Sequence, residues 1–186
     1  MLTGEKLPVI EAERVSLRHL EQSDTDSLFE IFSDREALRF WGFPPFNERA
    51  EATKLLGEIH DYFRQKTLFQ WGIALNTDDQ IIGTSTLFQF DEKSRRAEIG
   101  YILSRRHWGK GLATEALTAL LDFAFEKMNL HRIEADIEPR NAASVKIVER
   151  LGFVREGYLR ERWIVGDEIQ DSLFYGLLRS DWEKKV

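Results

Sequence analysis

The sequence has no cysteine among its 186 residues, only four prolines, and no run of about 18 apolar residues. Each absence removes a class of protein. Without thiols there is no disulfide framework, no cysteine nucleophile and no thiolate metal site. The prolines fall at Pro8, Pro44, Pro45 and Pro139, and no Pro/Gly/Ser-rich linker, low-complexity tract or repeat interrupts the chain. One continuous domain over residues 1–186 is therefore expected. The segment from Met1 to Ile10 lacks the basic stretch and apolar run of a secretory signal, which places the chain in the cytoplasm rather than at a membrane. Positive charge is in deficit as well: 26 Lys+Arg against 32 Asp+Glu gives a formal charge of −6. Such a chain is not built to adhere to nucleic acid or to an anionic bilayer. The four histidines, His19, His60, His107 and His131, have no spacing that puts two on one helix face, so no metal site is expected.

What is present is enough for a core. Apolar residues make up 42% of the chain and charged ones 31%, the balance of a soluble globule. The alternation of Val15 to Leu20 predicts a strand, and Ser23 is placed to cap a helix with Leu28, Ile31 and Phe32 on one face. Ala52, Leu55, Leu56, Ile59, Tyr62 and Phe63 recur with helical spacing. Phe69 to Leu75, Ile81 to Phe90 and Ala97 to Leu103 predict an antiparallel meander. The pattern then changes. A long helix from Gly109 to about Met128 and a strand over Arg132 to Ile137 imply a parallel crossover. A helix from Asn141 to Leu151 ends at Gly152, a residue suited to the left-handed position after a helix, with Phe153 packing back on Val148. Two last strands, about Tyr158 to Val165 and Ile169 to Leu178, meet at a Gly166-Asp167 turn. The fold class is α+β: a mixed, mostly antiparallel sheet of about seven strands, with one parallel βαβ step and helices on both faces.

The densest chemical signal is Arg105-Arg106-His107-Trp108-Gly109-Lys110-Gly111-Leu112-Ala113-Thr114, between a strand end and a helix start. Two glycines let backbone approach a ligand, and a helix N-terminus offers unpaired N–H groups to an anion. Arg105, Arg106 and Lys110 add positive charge, so the loop suits a pyrophosphate; a plain strand-to-helix turn with solvated basic residues is the bland alternative. A Walker loop is excluded, because Gly109-Lys110 is followed by Gly111 and not by Ser or Thr. A dinucleotide fingerprint would want glycine or alanine where Thr114 stands, although Glu134 lies at about the right distance for a ribose carboxylate. An NAD-dependent oxidoreductase therefore stays open as a third reading.

Arg106-x-x-Gly109-x-Gly111 resembles the coenzyme A loop of the GCN5-related N-acetyltransferases, and the string from His107 to Ala116 resembles the RimJ/RimL type in particular. Ala97-Glu98-Ile99-Gly100-Tyr101 is similar to the family's central strand, and Asn141-Ala142-Ala143-Ser144 to its second motif. Leu151-Gly152-Phe153 with Glu156-Gly157 is similar to the stretch that usually comes after that motif. The resemblance covers about Val15 to Trp182. It implies a fold in which two parallel strands splay apart around acetyl-coenzyme A, and direct transfer of the acetyl group to an amine without a metal. Backbone groups of Ile102 and Ser104 would hold the pantetheine. Those from Arg106 through Trp108, Gly109, Lys110, Gly111 and Leu112 to Ala113, with Thr114 just beyond, would hold the pyrophosphate, and Asn141 would touch the cofactor arm.

Attack of a neutral amine on a thioester needs a base, a donor for the oxyanion and a proton or hydrogen bond for the thiolate. Glu98 is the candidate base, or the residue that positions a water acting as one; the alternative is a solvated or salt-bridged strand edge. Ser144 is the candidate acid, with an ordinary first-turn serine as the alternative. Asn141 is also an excellent helix cap after Pro139. One departure stands out: where RimL-type enzymes can carry a late-strand glutamate, this chain has Trp163. Tyr101, Trp41, Trp71 and Trp163 are candidates for an acceptor pocket or for core, and the apolar loop Arg39 to Glu48 for an acceptor wall or a core plug. The acceptor expected is a protein N-terminus, such as that of a ribosomal protein, or a small amine. A non-catalytic coenzyme A or nucleotide sensor is the alternative function. Exposed strand edges or the late hairpin would serve a homodimer.

Overall fold

The apolar runs form eight strands in the computed structural model, which describes residue 2 and residues 4–184: β1 (Ile10–Glu11), β2 (Val15–Arg18), β3 (Leu68–Leu75), β4 (Ile81–Asp91), β5 (Arg96–Leu103), β6 (Arg132–Ile137), β7 (Val154–Val165) and β8 (Glu168–Leu178). The outermost residues of the expected 1–186 domain, Met1 and Val186, lie outside the described residues, as do Thr3 and Lys185. The strands make one sheet in the order β1-β2-β3-β4-β5-β6-β8-β7. All neighbours are antiparallel except β5 and β6. The eighth strand, beyond the seven expected, is β1; two residues are too short to show a period.

Among the described residues five α-helices accompany the sheet: α1 (Thr25–Ser33), α2 (Arg49–Gln65), α3 (Leu112–Glu126), α4 (Ala142–Leu151) and α5 (Arg179–Trp182). Successive strand residues point to opposite faces of a sheet, and the two faces carry two cores. Trp71, Ile73 and Leu103 pack with Leu117, Leu120, Leu121 and Ala124 of α3 and with Val148 and Leu151 of α4. Their neighbours Ala74 and Ile102, with Ile81, turn the other way, onto Leu28, Ile31 and Phe32 of α1 and Leu56 and Ile59 of α2. Burying each such Leu, Ile or Phe contributes about 1.5–3 kcal/mol relative to leaving it in water. Trp71 is wholly buried, with its indole N–H donated to the Pro8 carbonyl at 3.0 Å. It belongs to the core and not to an acceptor pocket. Tyr62, expected to face inward, is 43% exposed.

Helix boundaries differ from expectation where polar side chains compete for the first turn. Ser23 is not the cap before α1. A 3-10 turn, Gln22–Asp24, intervenes, and Glu21 and Asp24 cap it reciprocally, the Asp24 carboxylate accepting the Glu21 N–H at 2.7 Å. α3 begins at Leu112 and not at Gly109, because a 3-10 turn (Arg105–His107) and two glycines at positive φ fill the space after β5. Met128 falls beyond its end. Before α4, Asn141 caps as expected, its side-chain oxygen accepting the Ser144 N–H at 3.2 Å. Gly152 closes the helix at φ 96°, and the Phe153 N–H returns to the Val148 carbonyl at 3.0 Å.

The β4–β5 ladder is tightest at Gly83, opposite Leu103. A Cβ there would run into the Ile102 carbonyl oxygen, a backbone atom that cannot swing aside. Gly83→Ala is predicted to cost about 1–3 kcal/mol, read as a lower urea midpoint at unchanged slope; an unshifted midpoint would show that the ladder has slack.

Candidate active site

The parallel ladder between β5 and β6 is short. It pairs Arg96 with Arg132, Ala97 with Ile133 and Glu98 with Glu134, and there it stops. β5 runs on to Leu103 paired with β4, while β6 runs on to Ile137 paired with β8. A gap opens between them, and backbone N–H and C=O groups along it are left without a strand partner. Which groups face the gap is set by alternation. The Ser104 N–H donates to the Ile82 carbonyl at 2.7 Å, so in this antiparallel ladder Ile102 in turn pairs with Thr84. The gap is therefore faced by the backbone of Tyr101 and Leu103. Ile102 and Ser104, expected to lend their backbone to a ligand, spend it on β4; Ile102 still lines the cleft.

That cleft has a volume of about 540 Å³. One end is the glycine loop. Gly109 and Gly111 adopt φ 72° and 79° on either side of Lys110, a left-handed alternation that turns successive N–H groups toward one side. Gly111 is the N-cap of α3 without any side-chain cap, and the first helical bond inside the turn is Glu115 N–H to Gly111 carbonyl at 3.0 Å. The N–H groups of Leu112, Ala113 and Thr114 are thus unspent, and all three residues line the cleft beside Trp108, Gly109 and Gly111. A helix start of this kind binds anions.

The basic side chains of the loop do something else. Arg106 pairs with Glu30 of α1 at 2.7 Å and Arg105 with Asp34 at 3.0 Å, so neither is gathered at the cleft as the sequence led one to expect. Lys110 contributes its carbonyl, which accepts from Arg14 at 3.0 Å, and its side chain does not line the cleft. Arg14 also grips Glu115, whose carboxyl those hydrogen bonds hold below its usual range against the opposing effect of burial. Trp108 donates its indole N–H to the Leu103 carbonyl at 2.7 Å. The loop is thereby tied to β5, to α1 and to the turn before β2. Its two arginines are spent on holding its shape, and backbone N–H groups are left facing the cleft.

On the other face of the sheet Glu98, Gly100 and Ile102 alternate along β5, with Glu134 and Asp136 beside them on β6. The Glu98 side chain is half-buried, and its carboxylate accepts no hydrogen bond from any described residue. Its neighbours are engaged. Glu134 is held by Arg96 and by Arg132 at 2.8 Å, and Asp136 by Ser172, by the Trp163 indole at 3.3 Å and by Arg162 at 3.6 Å. Burial first, then the charges of Asp136 and Glu134, raise the Glu98 carboxyl to about 7, with Arg162 and Arg96 opposing. A carboxyl poised there can take and give a proton near neutrality. Glu98 stands outside the lining of the cleft itself, and it faces away from Ser144, which lies on the α4 wall.

α4 contributes a column. Asn141, Ser144, Ile147 and Arg150 all line the cleft. Their three-residue spacing was the signal that could have found Arg150, which was not singled out from sequence. Glu36 was also missed; it enters from the same connection between α1 and α2 as Phe40 and Trp41, which belong to the loop Arg39 to Glu48 singled out from sequence, and a loop has no period to betray it. Phe43 and Phe46 of that loop stack on Phe32, so it serves as both wall and plug. Trp163 is 44% exposed on the late hairpin, and His19 and His60, from separate elements, stack with centroids 4.8 Å apart, remote from the cleft. Among the described residues no group of three or more His, Asp or Glu could hold a metal.

Residues 14–154 match the family model described as the acetyltransferase (GNAT) domain. The chain is 36% identical over 170 residues to a Bacillus licheniformis protein named uncharacterized N-acetyltransferase p20, covering 91% of this chain and 96% of that one. It is 33% identical to YdaF of Bacillus subtilis, provisionally named a ribosomal N-acetyltransferase, over 92% of this chain and 94% of that one. Among solved structures, spermidine N-acetyltransferase from Vibrio cholerae in complex with CoA and spermine superposes with a TM-score of 0.80 at 25% identity, over 91% of this chain and 98% of that one.

Asp136 shares a face with Glu98 and its charge pushes the Glu98 carboxyl upward. Asp136→Asn should therefore move the Glu98 midpoint to lower pH, followed by carboxyl-labelled NMR; an unmoved midpoint would mean that the two groups do not sense one another.

Proposed function

The chain belongs to the GNAT acetyltransferase family, and on that premise we propose that Glu98 and the β5–β6 gap carry out the transfer of an acetyl group from acetyl-coenzyme A to a primary amine. The family is one of N-acetyltransferases that use acetyl-coenzyme A, and this chain is an acyltransferase of that kind. The observation that carries the site assignment is the gap itself. It offers unpaired backbone to a linear amide-bearing arm, and it ends at the uncapped N-terminus of α3, which suits a diphosphate. Bound there, acetyl-coenzyme A supplies an activated thioester.

The roles then divide by position. Backbone of Tyr101 and Leu103 faces the pantetheine, in place of Ile102 and Ser104. The N–H groups from Gly109 to Thr114 receive the pyrophosphate, while Arg106 and Lys110 shape the loop. Asn141 holds the start of α4 at the cofactor arm, and the Ser144 hydroxyl lies where a departing thiolate needs a hydrogen bond. Glu98, on the opposite face, takes the proton that the amine must lose, directly or through a water. The acceptor class is a primary amine of a protein N-terminus, as the RimJ/RimL resemblance and the name of YdaF suggest, or of a small molecule, as in the spermidine enzyme.

The test is turnover with a panel of amines, read as free thiol. Glu98→Gln should lower kcat about 10²- to 10⁴-fold and leave coenzyme A binding within about twofold. The wild-type rate should climb as pH rises through about 7, because only the ionised carboxylate accepts a proton, and the variant should lose that limb. Equal turnover of the two proteins at every pH would remove Glu98 from the mechanism. Calorimetric binding of coenzyme A without thiol release for any amine would point instead to a sensor.

A further inference from the structure

Buried side chains that carry polar atoms normally find partners for them. Five of those described here do: Asp24 with Arg18, Thr25 with the Gln22 carbonyl, Glu134 with Arg132, Gln170 with Glu168 and Ser172 with Asp136. The four without one, among the described residues, are Gln70, Thr84, Ser85 and Thr86, all on the neighbouring strands β3 and β4. Ser85 faces the α3 side opposite Trp71, and Thr84 lies in the row of Ile102, which α1 covers; both hydroxyls are sealed from solvent. Gln70 and Thr86 differ. They are 8% and 6% exposed, yet their polar atoms are not sealed, and they stand side by side across the β3–β4 ladder.

This pair points to the same face of the sheet as Glu98. Thr86 lies opposite Gly100 of β5, so Glu98, two residues earlier, is its diagonal neighbour at about 7–8 Å. Gly100 leaves the floor between them without a side chain, and a ring carbon of Phe88, at 3.5 Å, is what a Cβ there would meet. The row Gln70-Thr86-Gly100 holds no charged group. An ammonium or a carboxylate set over it would lose water with no opposite charge to pair it. A carboxamide and a hydroxyl instead offer donors and acceptors together, which complements the N–H and C=O of a neutral amide.

We propose that Gln70 and Thr86 form a hydrogen-bonding subsite for an uncharged amide that the acceptor carries next to its reactive amine. The inference rests on the acetyl-transfer reading above and selects among the acceptors that reading allows. Neighbouring strands lie about 4.8 Å apart, so the row from β5 to β3 spans about 10 Å, the reach of about three residues of extended chain. With the amine at Glu98, the first amide meets Thr86 and the next meets Gln70. An amino-acid amide fills the first position, and the end of a peptide fills both. A polyamine brings methylenes and a second ammonium to the same row and gains no hydrogen bond from it.

The experiment follows free thiol from the full chain with four acceptors: alaninamide, an alanine tripeptide amide, propargylamine as an amine of similar basicity without an amide, and 1,4-diaminobutane. Rates are taken per unprotonated amine. One neutral hydrogen bond is worth roughly three- to tenfold, so wild type should show kcat/KM about 10- to 100-fold higher for the two amides than for the other two. Faster turnover of the tripeptide than of alaninamide identifies a peptide as the source of the amide, the reverse a small molecule, and either order supports the subsite. Thr86→Val and Gln70→Leu should each lower kcat/KM for the amides about three- to tenfold, with propargylamine turnover and calorimetric Kd for coenzyme A within about twofold of wild type. Thr86→Ser, which keeps the hydroxyl, should keep the preference. Equal kcat/KM for amide-bearing and plain amines in wild type, or an equal loss for both in the variants, would make Gln70 and Thr86 packing residues and overturn the proposal. Absence of thiol release from wild type with every amine would overturn the transfer reading itself, a result separable from either of those.

Discussion

Two parallel strands that stop pairing after three registers leave facing rows of backbone donors and acceptors, and buried backbone does not stay unpaired without cost. In β5 and β6 that gap sits in the middle of the sheet, flanked by β4 on one side and β8 on the other, so neither strand can move to close it without breaking a ladder. The groups must be met by water or by a ligand that is itself a thin chain of amides. The glycine loop and the start of α3 lie at the end of the same strand, so a ligand threaded along β5 reaches unspent N–H groups at its anionic end. The interrupted ladder thus suits an amide-bearing arm, and the helix start at its end suits an anionic terminus.

Charge plays a different part from the one its density suggests. Three basic residues in ten look like a phosphate grip, yet Arg105 and Arg106 are bound to α1, and Arg14, far away in sequence, secures the loop through Glu115 and the Lys110 carbonyl. Exposed pairs of this sort contribute little stability individually, about 0–1 kcal/mol. Their effect here is geometric: with the Trp108 anchor they hold the two left-handed glycines in place, so that the N–H groups proposed for the pyrophosphate are already aligned. A preformed backbone nest loses less entropy on binding than flexible lysines closing on a phosphate.

Much of this was legible in the sequence, and the limits have physical reasons. β6 begins and ends where apolar alternation put it, and Asn141 and Gly152 bound α4 because their capping chemistry is local. The glycine loop was found because glycine, position and helix start coincide. What could not be read was direction. Alternation gives a strand two faces without naming them, and the backbone facing the gap, assigned by resemblance to Ile102 and Ser104, is one residue out of register with what the ladder shows. Side-chain reach is equally hidden: nothing local tells that Arg106 turns to Glu30 and not to the cleft. A residue such as Glu36 comes from an irregular connection, where no period exists to be read. The two-residue β1 is a strand only because β2 lies beside it.

The sheet also bears on the direct transfer proposed above. Glu98 faces the side of α1 and α2, while Tyr101 and Ser144 face the side of α3 and α4. A base and a leaving-group partner on opposite faces can serve one carbon only if that carbon lies in the sheet plane, and among the described strands the β5–β6 gap is where the plane is open. On this assignment an amine entering from the Glu98 side adds to one face of the carbonyl, and the sulfur leaves the resulting tetrahedral centre toward α4. A relay through a protein nucleophile would need a side chain within the gap. The strand residues around it are Ile99, Gly100, Tyr101, Ile102 and Leu103 on β5 and Ala135, Asp136 and Ile137 on β6, and the chain has no cysteine. Asp136, the one carboxylate of that set, is already bound to Ser172, Trp163 and Arg162. With Glu98 as base across the plane, we propose that the acetyl group passes from sulfur to nitrogen in one encounter, with both substrates present together.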